Sequence, residues 1–318
     1  MSIRVVDYLE NLETVITDKR YNYEHTYKLP FVSDDVKRGM KISKNSVTKV
    51  KLPDCDLHVW VKRILESNPI EVDRKIINEI LFSRIYNALG VNAIISYPCF
   101  FIDPHIKELV PKSSIVGTVS QDLYSIKELD VDSMVNKWFS YMYQRSLKNM
   151  LNNRSKMIEK EFETNLNAEL LFNSNLVTNI VDLIMLLLDN HFGNKFVIGE
   201  KGNGHESVVS FDFEDNNLNY DYIYNSLDGF ENYPITSKIY VTKEKYETLR
   251  DRLAYIKNLY LDGKLPYECH LLFKKLLELN VDKLIEDAEK ETSYPILKSK
   301  QADRVRALID YNQEFIAK

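Results

Sequence analysis

The sequence predicts a mixed α+β protein built as two lobes, a small β-rich N-terminal lobe with one helix and a larger, mainly helical C-terminal lobe. Residues 38–125 contain short segments in which apolar and polar residues alternate, as in half-buried strands. After about residue 130 the chain changes to long stretches with helical spacing. A length of 318 residues is enough for two lobes. We therefore predict an N-terminal extension at 1–37, an N-lobe at 38–122 and a C-lobe at 123–318.

The predicted N-lobe has four strands and one helix. The strands are expected at 41–52, 57–65, 91–102 and 113–124. Pro53-Asp54 would form the turn between the first two strands. The helix is expected over 73–90, because its apolar residues recur at helical spacing and Gly90 suits a C-terminal cap.

The predicted C-lobe is helical except for one hairpin. Its helices are expected at 133–150, 154–188, 243–262, 268–279, 282–291 and 301–316. The hairpin strands are expected at 195–198 and 207–213, because the segment between them contains three glycines and is typical of a turn. The hairpin and the helix before it carry most of the residues with catalytic chemistry.

The composition excludes several binding classes. The chain has 42 Lys and Arg against 47 Asp and Glu, a formal net charge of -5, so it lacks the overall positive field of a general nucleic-acid binder. It has only 9 glycines, and their positions allow neither the G-x-G-x-x-G fingerprint of dinucleotide-binding proteins nor a Walker A loop. Residues 37–51 carry six cations and no acid, so they either protect exposed strand edges or form a surface that meets phosphate.

Cysteine usage and hydropathy predict a soluble, cytoplasmic protein. Cys55, Cys99 and Cys269 are widely spaced and suggest neither a disulfide framework nor a metal site, so we expect reduced, buried thiols. The most apolar run, 180–188, is nine residues long and contains Asp182, which makes it too short to span a bilayer. The N-terminal segment lacks the apolar core of a signal peptide.

Three polar residues around the predicted hairpin have the chemistry of metal-assisted phosphoryl transfer. Asp189 follows an apolar helical run, Asn194 comes five residues later, and Asp212 lies in the apolar run of the second hairpin strand. Mg²⁺ prefers oxygen ligands, so Asn194 and Asp212 suit a metal, and Asp189 suits the group that orients or deprotonates an attacking hydroxyl. The alternative is a structural set, in which Asp189 caps a helix, Asn194 lies in a turn and Asp212 is a surface acid.

Two residues of the predicted N-lobe would supply a phosphate-binding cation and an acid that pairs with it. Lys62 follows an alternating strand, where its ammonium group would hold the phosphates of a nucleotide. Glu79 lies in the next helix, where it would pair with that lysine. Each residue has a plain alternative, a lysine at a strand end and a solvated helical acid. The order of all five residues along the chain favours the catalytic interpretation.

Two segments carry a resemblance to a known family. Asp189-Asn-His-Phe-Gly-Asn194 resembles the catalytic motif D-R-H-x-x-N of the HipA/CtkA group of bacterial serine/threonine kinases. The predicted helical segment from Glu79 to Gly90 is similar to the family's helix that carries the lysine-pairing glutamate. Its sequence pattern is E-x-x-x-x-x-I-x-N-x-L-G. The resemblance covers residues 38–215 and implies a protein-kinase-like fold, itself similar to phosphatidylinositol kinases, with ATP and Mg²⁺ as cofactors.

The resemblance assigns a role to each matching residue. Asp189 would be the catalytic aspartate, and Asn194 and Asp212 would hold Mg²⁺. Lys62 would bind the ATP phosphates, and Glu79 would pair with Lys62. In the catalytic loop, 189–194, the structural members would be His191 and Gly193.

Two further segments complete the implied ATP site. The hinge over the adenine would consist of Thr118, Val119, Ser120 and Gln121. The phosphate loop, which must be glycine-poor in this chain, is expected at Ser43, Lys44, Asn45 and Ser46. Two residues depart from the known motifs: Asn190 replaces the family's arginine, and Glu214 stands where protein kinases have glycine.

The implied function is transfer of the γ-phosphate of ATP to Ser or Thr hydroxyls of a protein or peptide, autophosphorylation included. Two alternatives use the same scaffold: a kinase of small molecules or of inositol or lipid headgroups, and a kinase-like binding module without catalysis. The implied partners are a protein substrate and an antitoxin or a host protein, with no direct contact to nucleic acid. The implied location is the cytoplasm, or a host cytosol for a delivered effector.

Overall fold

The structure, a computed structural model, describes most of the predicted strands and helices. The described residues are 46–51, 58–64, 68–101, 115–127, 129–132, 151–152, 154–155, 167–187, 194–200, 206–214 and 249–318. The predicted extension at 1–37, the predicted turn at Pro53-Asp54 and the predicted helix at 133–150 lie outside these residues.

The first sheet has four antiparallel strands. They are β1 (Ser46–Lys51), β2 (His58–Arg63), β4 (Ser96–Phe101) and β5 (Ile115–Gln121). Their order across the sheet is β1-β2-β5-β4, and each neighbouring pair is antiparallel. The register places Lys62 of β2 directly opposite Thr118 of β5, so the lysine lies on an interior strand.

The second sheet contains the predicted hairpin. Strands β7 (Lys195–Glu200) and β8 (Ser207–Ser210) pair antiparallel, as the sequence predicts, although β8 ends at Ser210 rather than at 213. The short strand β3 (Asn92–Ala93) pairs with β8 in parallel, and β6 (Leu129–Asp132) pairs with β7 antiparallel. The order is therefore β3-β8-β7-β6.

One predicted strand divides between the two sheets, and one observed strand was not predicted. The segment 91–102 forms two strands, because its beginning pairs with β8 in the second sheet and its remainder pairs with β5 in the first. Strand β6 is not among the predicted strands, because two of its four residues are aspartates, which are depleted in strands. Alternation identifies strand residues, but it does not say which sheet will accept them.

Helix α1 (Pro69–Leu89) lies between the first sheet and the C-terminal helices, and it is buried along most of its length. It begins earlier than predicted, because the Asn68 side chain caps it by accepting a hydrogen bond from Ile70 N at 3.0 Å. It ends at Gly90, as predicted, where a φ of 86° gives the left-handed cap that glycine adopts without strain. Its buried polar and charged side chains are Arg74, Lys75, Asn78, Glu79 and Ser83.

Five further helices have both bounds within the described residues. They are α2 (Ala168–Ile184), α3 (Leu249–Leu261), α4 (Tyr267–Glu278), α5 (Val281–Thr292) and α6 (Lys300–Ala317). Helix α2 starts later than predicted, because Asn167 caps it by accepting from two backbone N–H groups at 3.1 Å. The last three helices agree with the predicted bounds to within one residue, and so does the end of α3. The predicted start of α3 at 243 lies outside the described residues. Within the described part of the chain, no helix is long and apolar enough to cross a membrane.

One apolar core joins α1 to α2 and to the four C-terminal helices. Polar contacts also hold α1 from the C-terminal side. The Tyr294 hydroxyl donates to Asp73 at 2.5 Å, and the Gln301 amide donates to Asn78. The mixed α+β class is thus confirmed, whereas the division into two lobes stays a prediction.

Candidate active site

Lys62 and Glu79 meet between the first sheet and α1. The Lys62 Nζ atom lies 2.9 Å from Glu79 Oε1, and both side chains are largely buried. The Ser96 hydroxyl donates to the other carboxylate oxygen of Glu79 at 3.3 Å, which fixes the orientation of the carboxylate. The two residues that the resemblance pairs are therefore in contact, and their role in ATP binding stays a prediction.

Two more carboxylates reach the same ammonium group from the segment after β8. Lys62 Nζ contacts Asp212 Oδ1 directly and lies 3.2 Å from Glu214 Oε2. Asp212 has a φ of 68°, in the left-handed region that aspartate tolerates better than most residues. This conformation turns the chain sharply at the end of the apolar run.

The Asp212 segment is held on both sides by hydrogen bonds. Phe211 N donates to the carbonyl of Asn194 at 3.1 Å, so the two residues that the resemblance assigns to Mg²⁺ lie on adjacent segments. On the other side, Asn78 Nδ2 of α1 donates to the carbonyl of Glu214 at 3.0 Å. The turn is thus anchored both to β7 and to α1.

Burial and the neighbouring charges shift the pKa values of Lys62 and Glu214 in this cluster. Burial on its own would lower the pKa of Lys62, but the carboxylates of Glu79, Asp212 and Glu214 outweigh it and raise that pKa. Burial raises the pKa of Glu214 to about 7, although Lys62 acts in the opposite direction. The lysine is therefore a permanent cation, and Glu214 changes charge near neutral pH.

The donor set of this cluster fits a divalent cation. Carboxylate oxygens of Glu79, Asp212 and Glu214 all lie within 4.8 Å of one another, and the Lys62 ammonium group contacts all three acids. Excess negative charge and hard oxygen donors are what Mg²⁺ prefers. Asn194, buried beside the same turn, offers an amide oxygen directly before β7. The residues present therefore fit the metal that the resemblance implies.

The predicted hinge residues lie within a strand. Thr118, Val119, Ser120 and Gln121 form the end of β5, inside the predicted strand 113–124. The β5 residues up to Gln121 keep their pairing with β2. Thr118 and Gln121 are buried. Whether this strand end contacts adenine stays a prediction.

Several predicted site residues lie outside the described part of the chain. They are Asp189, His191, Gly193, Ser43, Lys44 and Asn45. Ser46 opens β1, where its backbone is paired opposite Arg63. The predicted catalytic loop and most of the predicted phosphate loop therefore remain sequence-based assignments.

Two parts of the site were missed by sequence reasoning. Glu214 was recognised only as a departure from the kinase pattern, yet it lies in ionic contact with Lys62. A buried trio beneath the site was also missed: Asp182, Lys195 and Tyr86. The available signal for the trio was an acid in the middle of an apolar helical run and a lysine directly after Asn194.

Comparisons with solved structures find the same fold over most of the chain. The chain is similar to the proinflammatory kinase CtkA of Helicobacter pylori, with a TM-score of 0.56 and 14% identity, over 92% of this chain and 95% of that chain. It also matches a chain of the Shewanella oneidensis MR-1 toxin–antitoxin complex of HipA, HipB and operator DNA, with a TM-score of 0.45, 12% identity and 96% and 69% of the two chains covered.

No family model matches the sequence, and no curated protein matches it. The resemblance named from the sequence motifs is nevertheless confirmed at the level of structure. The likeness to CtkA shows a kinase-like fold, and at 14% identity it shows the fold alone. The activity has to be argued from the residues of the site.

Proposed function

We propose that this protein is an ATP- and Mg²⁺-dependent kinase that transfers the γ-phosphate to Ser or Thr hydroxyls of a protein or peptide, itself included. The observation that carries the proposal is the contact of Lys62 with both Glu79 and Asp212. These partners come from α1 and from the end of the second sheet, and they are 17 and 150 positions away from Lys62 in the sequence. Phosphoryl transfer requires three groups at one point: a lysine that binds phosphate, an acid that orients this lysine, and an acid that binds the metal.

Each residue then has a defined task. Lys62 binds the phosphates of ATP, and Glu79 keeps its ammonium group in place. Asn194 and Asp212 hold Mg²⁺, which when bound neutralises charge on the phosphate oxygens. Asp189 orients the attacking hydroxyl and accepts its proton. Because the pKa of Lys62 is raised, its positive charge persists through the working pH range.

We also propose the setting in which the kinase acts. The buried, free thiol of Cys269 suits a reducing compartment, so we place the protein in a cytosol, its own or that of a host. The proposed partners are a protein substrate and a regulatory protein, either an antitoxin or a host protein. Direct binding to nucleic acid is not part of the proposal, because the chain carries a formal net charge of -5.

The test is labelling of the purified protein and of generic peptide substrates with γ-labelled ATP and Mg²⁺. Asp189→Ala should reduce transfer by at least about 100-fold, the usual contribution of a positioned acid–base group. Asp262→Ala is the matched control, because Asp262 is an exposed aspartate whose ion pair with Lys264 lies on the surface. It should keep wild-type labelling.

Three results would change the proposal. Wild-type labelling by Asp189→Ala would refute the mechanism. Turnover of inositol phosphates or sugars without protein labelling would favour the small-molecule kinase. Thermal stabilisation by ATP and Mg²⁺ without any transfer would favour a binding module.

A further inference from the structure

Asp182 of α2 is a buried carboxylate with two side-chain partners from different parts of the chain. The Tyr86 hydroxyl donates to Asp182 Oδ1 at 2.7 Å, and Lys195 Nζ donates to Oδ2 at 2.8 Å. Asp182 is 4% exposed and Lys195 is 6% exposed. Burial raises the pKa of Asp182 and lowers that of Lys195, so the charges of both groups are costly here.

Each partner leads directly to a residue of the candidate site. Lys195 follows Asn194 in sequence, so holding its side chain holds the start of β7. The Tyr86 ring packs on Phe213, with centroids 4.8 Å apart, and Phe213 follows Asp212. The two residues proposed to bind Mg²⁺ are thus each one position away from an arm of the same buried trio.

Tyr86 also connects the trio to the lysine-binding acid. It lies seven positions after Glu79 on α1, which is two helical turns along nearly the same face. Asp182 therefore joins three elements that carry site residues: α1, the start of β7 and the turn after β8.

Stability alone does not explain such a trio. Replacing a buried ion pair by apolar side chains of similar size is often neutral or stabilising, because the cost of removing the charges from water disappears. Hydrogen bonds and ion pairs are directional, so they fix the relative placement of the groups they join, and an apolar cluster does not.

We propose that Asp182 is a positioning residue that aligns Asn194 with Asp212, through Lys195 on one side and through Tyr86 and Phe213 on the other. This inference rests on the proposed function, since it concerns the metal-binding pair of the same site. Residues that orient metal ligands from behind typically affect metal affinity or activity by 10–100-fold.

The main test replaces the whole trio by apolar side chains, in the triple variant Tyr86→Phe, Asp182→Leu, Lys195→Met. No buried polar group of the trio is then left without its partner, so the Tm should stay near that of the wild type. The Mg²⁺ concentration that half-saturates binding of AMP-PNP, a non-hydrolysable ATP analogue, should rise about 10-fold. In the labelling assay kcat should fall about 10-fold, with the KM for peptide nearly unchanged.

A smaller change covers the case in which the triple variant does not fold. Tyr86→Phe removes only one hydroxyl and should shift the Mg²⁺ dependence in the same direction, by about 3-fold, since one of two arms is lost. Tyr97→Phe is the matched control, because the buried Tyr97 hydroxyl donates to Glu291 at 3.1 Å, away from the metal pair. It should lower the Tm without moving the Mg²⁺ dependence.

A folded triple variant, or a folded Tyr86→Phe protein, with wild-type Mg²⁺ dependence would overturn the inference. An equal shift in Tyr97→Phe would also overturn it, because the effect would then not be specific to the trio. A wild-type protein that binds AMP-PNP with Mg²⁺ but transfers no phosphate would refute the proposed function instead, and the alignment would still be measurable through binding.

Discussion

Glu214 gives the protein a pH-dependent stability that can be worked out from the structure. Its carboxyl is 8% exposed and lies 3.2 Å from Lys62 Nζ, and burial raises its pKa from 4.5 to about 7. Between these two values the folded protein binds a proton that the unfolded chain has released. The free energy of unfolding must therefore fall as the pH rises from about 4.5 to about 7, and it becomes level above that window.

The size of this effect follows from the same values. At about 1.4 kcal/mol per pKa unit, the rise to about 7 corresponds to about 3 kcal/mol over the full window and about 2.5 kcal/mol between pH 5 and pH 8. Glu214→Gln keeps the size of the side chain and cannot titrate. Relative to the wild type, the variant should therefore gain about 2.5 kcal/mol in unfolding free energy from pH 5 to pH 8.

The assay is urea unfolding of both proteins in a series of buffers that contain a metal chelator. Subtracting the two curves removes the groups that titrate alike in both proteins, so the difference isolates Glu214 and its coupling to Lys62. A difference that stays constant from pH 5 to pH 8 would refute the reasoning. It would mean that the carboxyl is ionised in both states throughout that range.

Two further predictions concern the backbone and the thiol. Gly90→Ala should cost about 1–2 kcal/mol in urea unfolding, because alanine is strained at a φ of 86°, while the Lys275 Nζ atom that the new Cβ would meet can swing away. Gly90→Asn should lose less, and equal losses would contradict this account. The second prediction uses a protein with Cys55→Ser and Cys99→Ser, in which Cys269 is the remaining thiol. Cys269 should not react with an aromatic disulfide reagent at pH 8 until urea is added, because burial raises its pKa to about 12. Fast labelling of the native protein would contradict that burial.

The sequence was sufficient for the local elements, because their signals are local. The cap at Gly90 and the bounds of the last three helices follow from short patterns of apolar, glycine and capping residues. The contact between Lys62 and Glu79 was also expected, from the order of a strand lysine and a helical acid and from the family resemblance. Spacing and composition alone do not place one against the other.

The remaining parts of the site depend on long-range packing that a single sequence does not display. Glu214 can be recognised as a residue of the site only in the structure, because the turn at Asp212 brings its carboxylate to Lys62. Asp182 interrupts an apolar run, and its partners lie 96 and 13 positions away in sequence. The split of residues 91–102 between two sheets has the same origin, since pairing partners are chosen by tertiary structure.

The contact of α1 with α6 is made late during synthesis. Gln301 of α6 donates to Asn78, whose own amide donates to the carbonyl of Glu214, so the turn after Asp212 is braced by residue 301. Gln301 is 223 positions after Asn78, and a ribosome adding about 5–20 residues per second needs roughly 10–45 s to cover that distance. The brace on the turn after Asp212 therefore forms only after α6 has been made, and a product that stops before α6 would lack it.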